Sequence, residues 1–129
     1  MITYKNKLAT QITNNVTGIG RQISVNDFLD LEVGQIMTVE NAESWSDHGE
    51  FKIETVKDID YVFICNNACP VHEVDYDDEE ECYELGAEDC EYEREVLVPA
   101  GTQFKVTFIG SEHDLEEMGF ITVDVEYIN

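Results

Sequence analysis

The chain has 129 residues and a mass of 14.7 kDa, room for one domain of ordinary size and not for a multidomain enzyme. With 43% hydrophobic and 10% aromatic residues it carries enough apolar material for a core, which excludes wholesale disorder. Seven basic residues against twenty-nine acidic ones leave a formal net charge of −22. That field repels phosphates and anionic headgroups, so it excludes direct binding to nucleic acid or to an anionic membrane and favours a basic protein as partner.

The first eighteen residues are polar and lack the apolar centre of a signal peptide, and no run of eighteen apolar residues occurs further on. A cytoplasmic location is expected. A short helix is expected within residues 5–16, and another over 25–31 with Ser24 as its cap. From there the dominant period is two, carried by β-branched and aromatic residues. Strands are expected at 35–39 after the Val33-Gly34 turn, at 51–56, and at 61–65, whose apolar run suits a buried strand. Three more fall at 95–98, ended by Pro99-Ala100-Gly101, at 103–109, ended by Gly110, and at 120–127, where Ile121, Val123, Val125 and Tyr127 alternate. A helical turn is expected over 112–118. No internal repeat or linker interrupts the pattern, so residues 1–129 read as one α+β domain, mostly β, with few short helices.

Of the four cysteines, Cys65, Cys69, Cys82 and Cys90, none is expected in a disulfide without a secretory signal. Cys65, Cys69 and His72 have metal-ligand chemistry if Cys82 or Cys90 completes a tetrahedron. The spacing is not that of a known finger, however. A cysteine beside an apolar strand such as Tyr61-Val62-Phe63-Ile64 is more often a small core residue, so no metal is expected. Between Glu73 and Glu95, thirteen acidic residues meet a single basic one, Arg94. More than half of the net charge therefore lies in this segment, most of it in an insert at about 73–92 expected as a solvated loop. Asp75, Asp77 and Glu79 crowd carboxylates as a calcium loop does, but Glu80 stands where such a loop needs glycine.

The insert ends at Glu93-Arg94-Glu95, which runs directly into the apolar strand Val96-Leu97-Val98. Residues two apart in a strand share a face, so Glu93 and Glu95 would present two carboxylates at the strand mouth. Such a pair can divide its work. One carboxylate stays ionised and stabilises positive charge developing on a sugar carbon, while the other takes the proton of an incoming nucleophile.

Upstream lies Leu31-Glu32-Val33-Gly34-Gln35-Ile36-Met37-Thr38, followed by Asn41-Ala42-Glu43-Ser44-Trp45-Ser46. The succession of Arg21, then Ser44-Trp45-Ser46, then Glu93-Arg94-Glu95 with Val96-Leu97-Val98-Pro99-Ala100-Gly101-Thr102-Gln103-Phe104-Lys105-Val106 resembles the arginine-type mono-ADP-ribosyltransferases. Those carry an Arg, a Ser-x-Ser and a Glu-x-Glu on three successive strands. The resemblance spans residues 21–106. It implies two packed, roughly perpendicular sheets and NAD as the substrate. By it, Arg21 would contact the phosphate or ribose of NAD, and Ser44 and Ser46 would hold the nicotinamide ribose. Both serines would also orient the catalytic carboxylate. Glu95 would bond the ribose 2′-hydroxyl and stabilise the oxocarbenium-like transition state, and Glu93 would position or deprotonate an arginine acceptor. Trp45 and Phe51 are the candidates to stack on nicotinamide, each equally suited to the core. The family's Arg follows a sizeable helical lobe, whereas twenty residues precede Arg21 here, and the acidic insert occupies the place of the target-recognition loop.

Two functions are open on the sequence. One is a compact ADP-ribosyltransferase, whose compactness suggests phage or viral origin and a host cytoplasm as its place of action, that modifies a basic protein target. The other is a non-enzymatic acidic protein that mimics nucleic-acid charge and fills a basic groove on a partner.

Overall fold

The computed structural model describes residues 4–47, 57–74 and 95–129. The expected strand at 51–56 and nearly all of the acidic insert lie outside these residues. Among the described residues there are two short helices, α1 (Tyr4–Ala9) and α2 (Glu112–Met118). The strands are β1 (Asn14–Val16), β2 (Gly20–Val25), β3 (Ile36–Thr38), β4 (Glu43–Ser46), β5 (Ile59–Cys65), β6 (Cys69–Glu73), β7 (Glu95–Val98), β8 (Gln103–Ile109) and β9 (Ile121–Tyr127). The fold is α+β and mostly β, as expected. Neither helix is long and apolar enough to cross a membrane.

The strands follow the order β1-β6-β7-β4-β2-β5-β9-β8-β3, with only β5 and β9 parallel. The ladder divides into two halves, β1-β6-β7-β4 and β2-β5-β9-β8-β3, joined where β2 meets β4 at the single pair Gly20↔Ser46. Both halves feed one apolar core. Val71, Trp45, Val96 and Val98 enter it from the first half, and Phe63, Phe104, Val106 and Val123 from the second. The halves therefore pack on each other, with the Trp45 and Phe104 rings 5.2 Å apart across the junction. A smaller cluster of Leu8, Ala9, Ala42, Val74 and Leu97 holds α1 against the outer side of the first half.

Strand β5 is buried at nearly every position, consistent with its apolar run and central place between β2 and β9. In β9 the alternation appears as expected, with Ile121, Val123 and Val125 buried. Helix α2 begins where the Asp114 carboxylate accepts the Ser111 N–H at 3.0 Å and ends at Gly119 in the left-handed region, φ 85°, whose N–H bonds Leu115 O.

One expectation fails: residues 25–31 are not helical. Every residue of Gly20–Val25 finds a cross-strand partner on β5, so Val25 closes a strand and pairs with Ile59. Beyond it, Leu29 and Leu31 pack on the core at a spacing that suits extended chain, and the Leu29 N–H donates to Tyr61 Oη at 3.0 Å. Ser24 caps nothing and instead accepts the Lys57 N–H at 2.8 Å. At the expected start of the acidic insert, Glu73 closes β6 and Val74 is buried.

Candidate functional site

Strand β7 is drawn inward by Val96, Leu97 and Val98, all at most 1% exposed. That burial holds Glu95, at the strand's first position, half-buried where the core ends. Its cross-strand partner on β4 is Ser46, and Ser46 in turn pairs with Gly20 on β2. Residues directly opposite in a ladder share a face, so any side chain at position 20 would lie beside Ser46. Glycine places no side chain there.

A cavity of about 680 Å³ lies over this junction, and its walls include Arg21, Ser44, Trp45, Ser46 and Glu95. Five of the seven residues singled out from the sequence thus come together on three adjacent strands. Glu93 and Phe51 lie outside the described residues.

Strand alternation divides the five. Ser44 and Ser46 share the outer face of β4 with Glu95 and Leu97. Trp45 points the other way, 4% exposed and stacked against Phe104, so it is a core residue that also forms a cavity wall. Its indole N–H donates to Glu43 Oε1 at 3.3 Å, and Glu43 Oε2 lies 3.1 Å from Arg21 Nη1. Arg21, Glu43 and Trp45 therefore form one polar chain along the core-facing side of the junction. Arg21 and Glu43 each remain about a third exposed.

Sequence reasoning missed Glu43, although its place two residues before Trp45 puts it on the same face of a strand. It also missed α1. There Asn6 Oδ1 accepts the Ala42 N–H at 2.6 Å and Asn6 Nδ2 donates to Asn41 Oδ1 at 3.3 Å. This clamp brings Lys5 to the cavity rim, and no local sequence signal points to it.

The cysteine cluster comes apart. Cys65 and Cys69 are free thiols, fully buried in the main core, in keeping with their expected packing role. His72 lies three residues beyond Cys69 on β6 and so projects from the opposite face, with Nδ1 2.8 Å from Gln11 O. Cys82 and Cys90 lie outside the described residues. The Cys69 thiol bonds the Cys65 sulfur and lowers the Cys65 pKa from 9.0 to about 7, whereas the same contact and burial push Cys69 up.

No family profile matches the chain, and no curated protein sequence matches it. Solved structures do. The ADP-ribosyltransferase Vis from Vibrio splendidus superposes with a TM-score of 0.60 at 16% identity, over 93% of this chain and 52% of its own. C3stau2 from S. aureus, solved with NAD, gives 0.60 at 12% identity over 97% and 68%. The catalytic domain of VahC from Aeromonas hydrophila gives 0.54 at 15% over 97% and 67%. Vis has also been solved in complex with agmatine. The chain thus has the fold of these proteins, the ADP-ribosyltransferase Vis among them, and spans about half the length of Vis.

Proposed function

We propose that the protein is an NAD-dependent mono-ADP-ribosyltransferase that moves ADP-ribose from NAD to a side chain, arginine by preference, of a basic protein target. The observation that carries this reading is the convergence of Arg21, Ser44, Ser46 and Glu95 on one cavity. The fold likeness supports it, because the similar structures include ADP-ribosyltransferases and one solved with NAD. The arginine preference rests on the Glu93-Arg94-Glu95 pattern and on the agmatine complex of Vis, since agmatine carries a guanidinium group.

The cavity suits a dinucleotide in size and chemistry, with cationic, hydroxyl and carboxylate groups within the usual volume of a small-molecule site. Arg21 offers a planar, permanently charged fork to a phosphate. Ser44 and Ser46 present hydroxyls on the face they share with Glu95, suited to the hydroxyls of a ribose and to orienting the carboxylate. As the bond from the ribose C1 to the nicotinamide nitrogen breaks, nicotinamide leaves with the electron pair and positive charge grows on the sugar. The ionised Glu95 carboxylate stabilises that charge. An acceptor nitrogen then bonds C1 and releases a proton, which Glu93 takes.

The test is transfer of labelled ADP-ribose from NAD to proteins of a cell lysate. Transfer is expected in the wild type and should fall by at least about 100-fold in Glu95→Gln. The net charge of −22 favours one competing reading, a charge mimic that fills a basic groove. That reading predicts no transfer at all, together with partner binding that survives Glu95→Gln and collapses as salt rises.

A further inference from the structure

We infer that Glu43 gates the cavity: it serves as the built-in counter-ion of Arg21, which a diphosphate must displace, while Lys5, which makes no ion pair among the described residues, supplies a second cation for that diphosphate. The inference rests on the dinucleotide reading of the cavity and adds what regulates entry to it.

Arg21 is already neutralised. Its Nη1 lies 3.1 Å from Glu43 Oε2, and Glu43 lines the same cavity together with Glu40 and Glu95. A doubly charged diphosphate approaching Arg21 therefore meets a carboxylate at the guanidinium and two more in the walls. At roughly 4 Å and an effective dielectric near 20, each close like-charge encounter opposes binding appreciably.

The gate is held in position without being fixed shut. Glu43 keeps its second oxygen on the Trp45 indole N–H, and that ring is locked against Phe104. The carboxylate thus spans two donors of different strength. Because both Arg21 and Glu43 are about a third exposed, water can solvate Glu43 once a phosphate replaces it on the guanidinium. The neutral indole donor cannot hold an anion against a competing ligand as a charged partner does.

Lys5 makes no ion pair among the described residues, yet its backbone is well anchored. Leu8 and Ala9 bury the helix against Ala42, Val74 and Leu97, and Asn6 bonds both Asn41 and the Ala42 N–H. This ammonium is thus carried by a docked helix into the same cavity lining as an arginine that must exchange partners to bind. The arrangement suits capture by Lys5 followed by exchange at Arg21.

Trp45 is the sole tryptophan of the chain, so its fluorescence reports the state of Glu43 directly. Binding of NAD, ADP-ribose and inorganic pyrophosphate is measured by this signal and by calorimetry in the wild type, Glu43→Gln and Lys5→Ala, with thermal melting to verify folding. Glutamine keeps an acceptor for the indole and removes the charge. Glu43→Gln is expected to lower the Kd for NAD about three- to fivefold, and Lys5→Ala to raise it by a similar factor. Both differences should shrink toward about 0.5 M salt. Weaker or unchanged binding in Glu43→Gln would overturn the gate, and an unchanged Kd in Lys5→Ala would remove α1 from the subsite. Should the two variants shift binding as expected while the wild type labels no protein, the transferase reading fails and this inference stands. No binding of any of the three probes by the wild type sinks both.

Discussion

Asn67 does for the end of β9 what a neighbouring strand would do. Its Oδ1 accepts the Tyr127 N–H at 2.7 Å and its Nδ2 donates to Tyr127 O at 2.8 Å, so one side chain satisfies both backbone groups. Asn67→Ala removes the pair together and should cost about 1–2 kcal/mol in urea denaturation. The same amide oxygen lies 3.3 Å from Cys65 Sγ. Cys65 titrates near 7 in the folded protein against 9.0 in the unfolded chain, chiefly because the Cys69 thiol bonds it. A depressed folded pKa favours folding in the thiolate form. Its stabilising contribution is therefore fully present above 9, and it is lost as pH falls through 7. Denaturation at about pH 6 and pH 9 should show this gain in the wild type and not in Cys65→Ala. At the site, the residue types themselves were legible: an arginine, a Ser-x-Ser and a Glu-x-Glu are chemically distinctive in a fixed order. Glu43 was not, because in an acidic chain one more glutamate carries no signal until its two partners are seen.

At the scale of elements, the join between β8 and α2 is tight. A Cβ on Gly110 would lie 2.7 Å from Asp114 Oδ2 and 3.2 Å from both the N and the O of Thr122. The carboxylate can swing away only by leaving the Ser111 N–H, and the Thr122 backbone is held in β9. Gly110→Ala should therefore destabilise by about 1–3 kcal/mol, read as a lowered thermal midpoint with loss of helix signal from α2. Elements with strong local patterns were readable: β7 and β8 occupy the expected residues, α2 matches its turn, and β9 starts one residue late. The strands that escaped detection have weak patterns of their own. Gly20–Val25 holds only two apolar residues, and Cys69–Glu73 contains a proline. Their strand state comes from partners far away in sequence, Ile59–Cys65 for β2 and both β1 and β7 for β6. The same long-range pairing takes Val25 into β2, and residues 26–31 follow as a bend and irregular chain in place of the expected helix.

For the whole molecule the charge dominates. A net charge of −22 on 129 residues makes the compact state repel itself, and screening relieves that cost. Raising salt to about 0.5 M should raise the thermal midpoint of the free protein and, under the proposed function, weaken binding to a basic target. The two opposite responses of one protein to one variable separate self-repulsion from partner attraction. Neutralising the carboxylates of residues 75–81 is expected to act in the same sense as salt on both measurements, by raising the midpoint and loosening the partner.

Composition and period alone determined that this chain is a mostly-β domain with an acid-rich surface, since both follow from residue type and local spacing. The motif order raised the expectation of a transferase-like site without locating its parts in space. Only the tertiary structure decided that Arg21, Ser44, Ser46 and Glu95 border one cavity, because that depends on β2, β4 and β7 lying side by side. It also decided that Trp45 is wall and core together, that Glu43 already occupies Arg21, and that Lys5 reaches the same rim. Each of these is a contact between segments distant in sequence, and long-range pairing sets such contacts where local preference cannot.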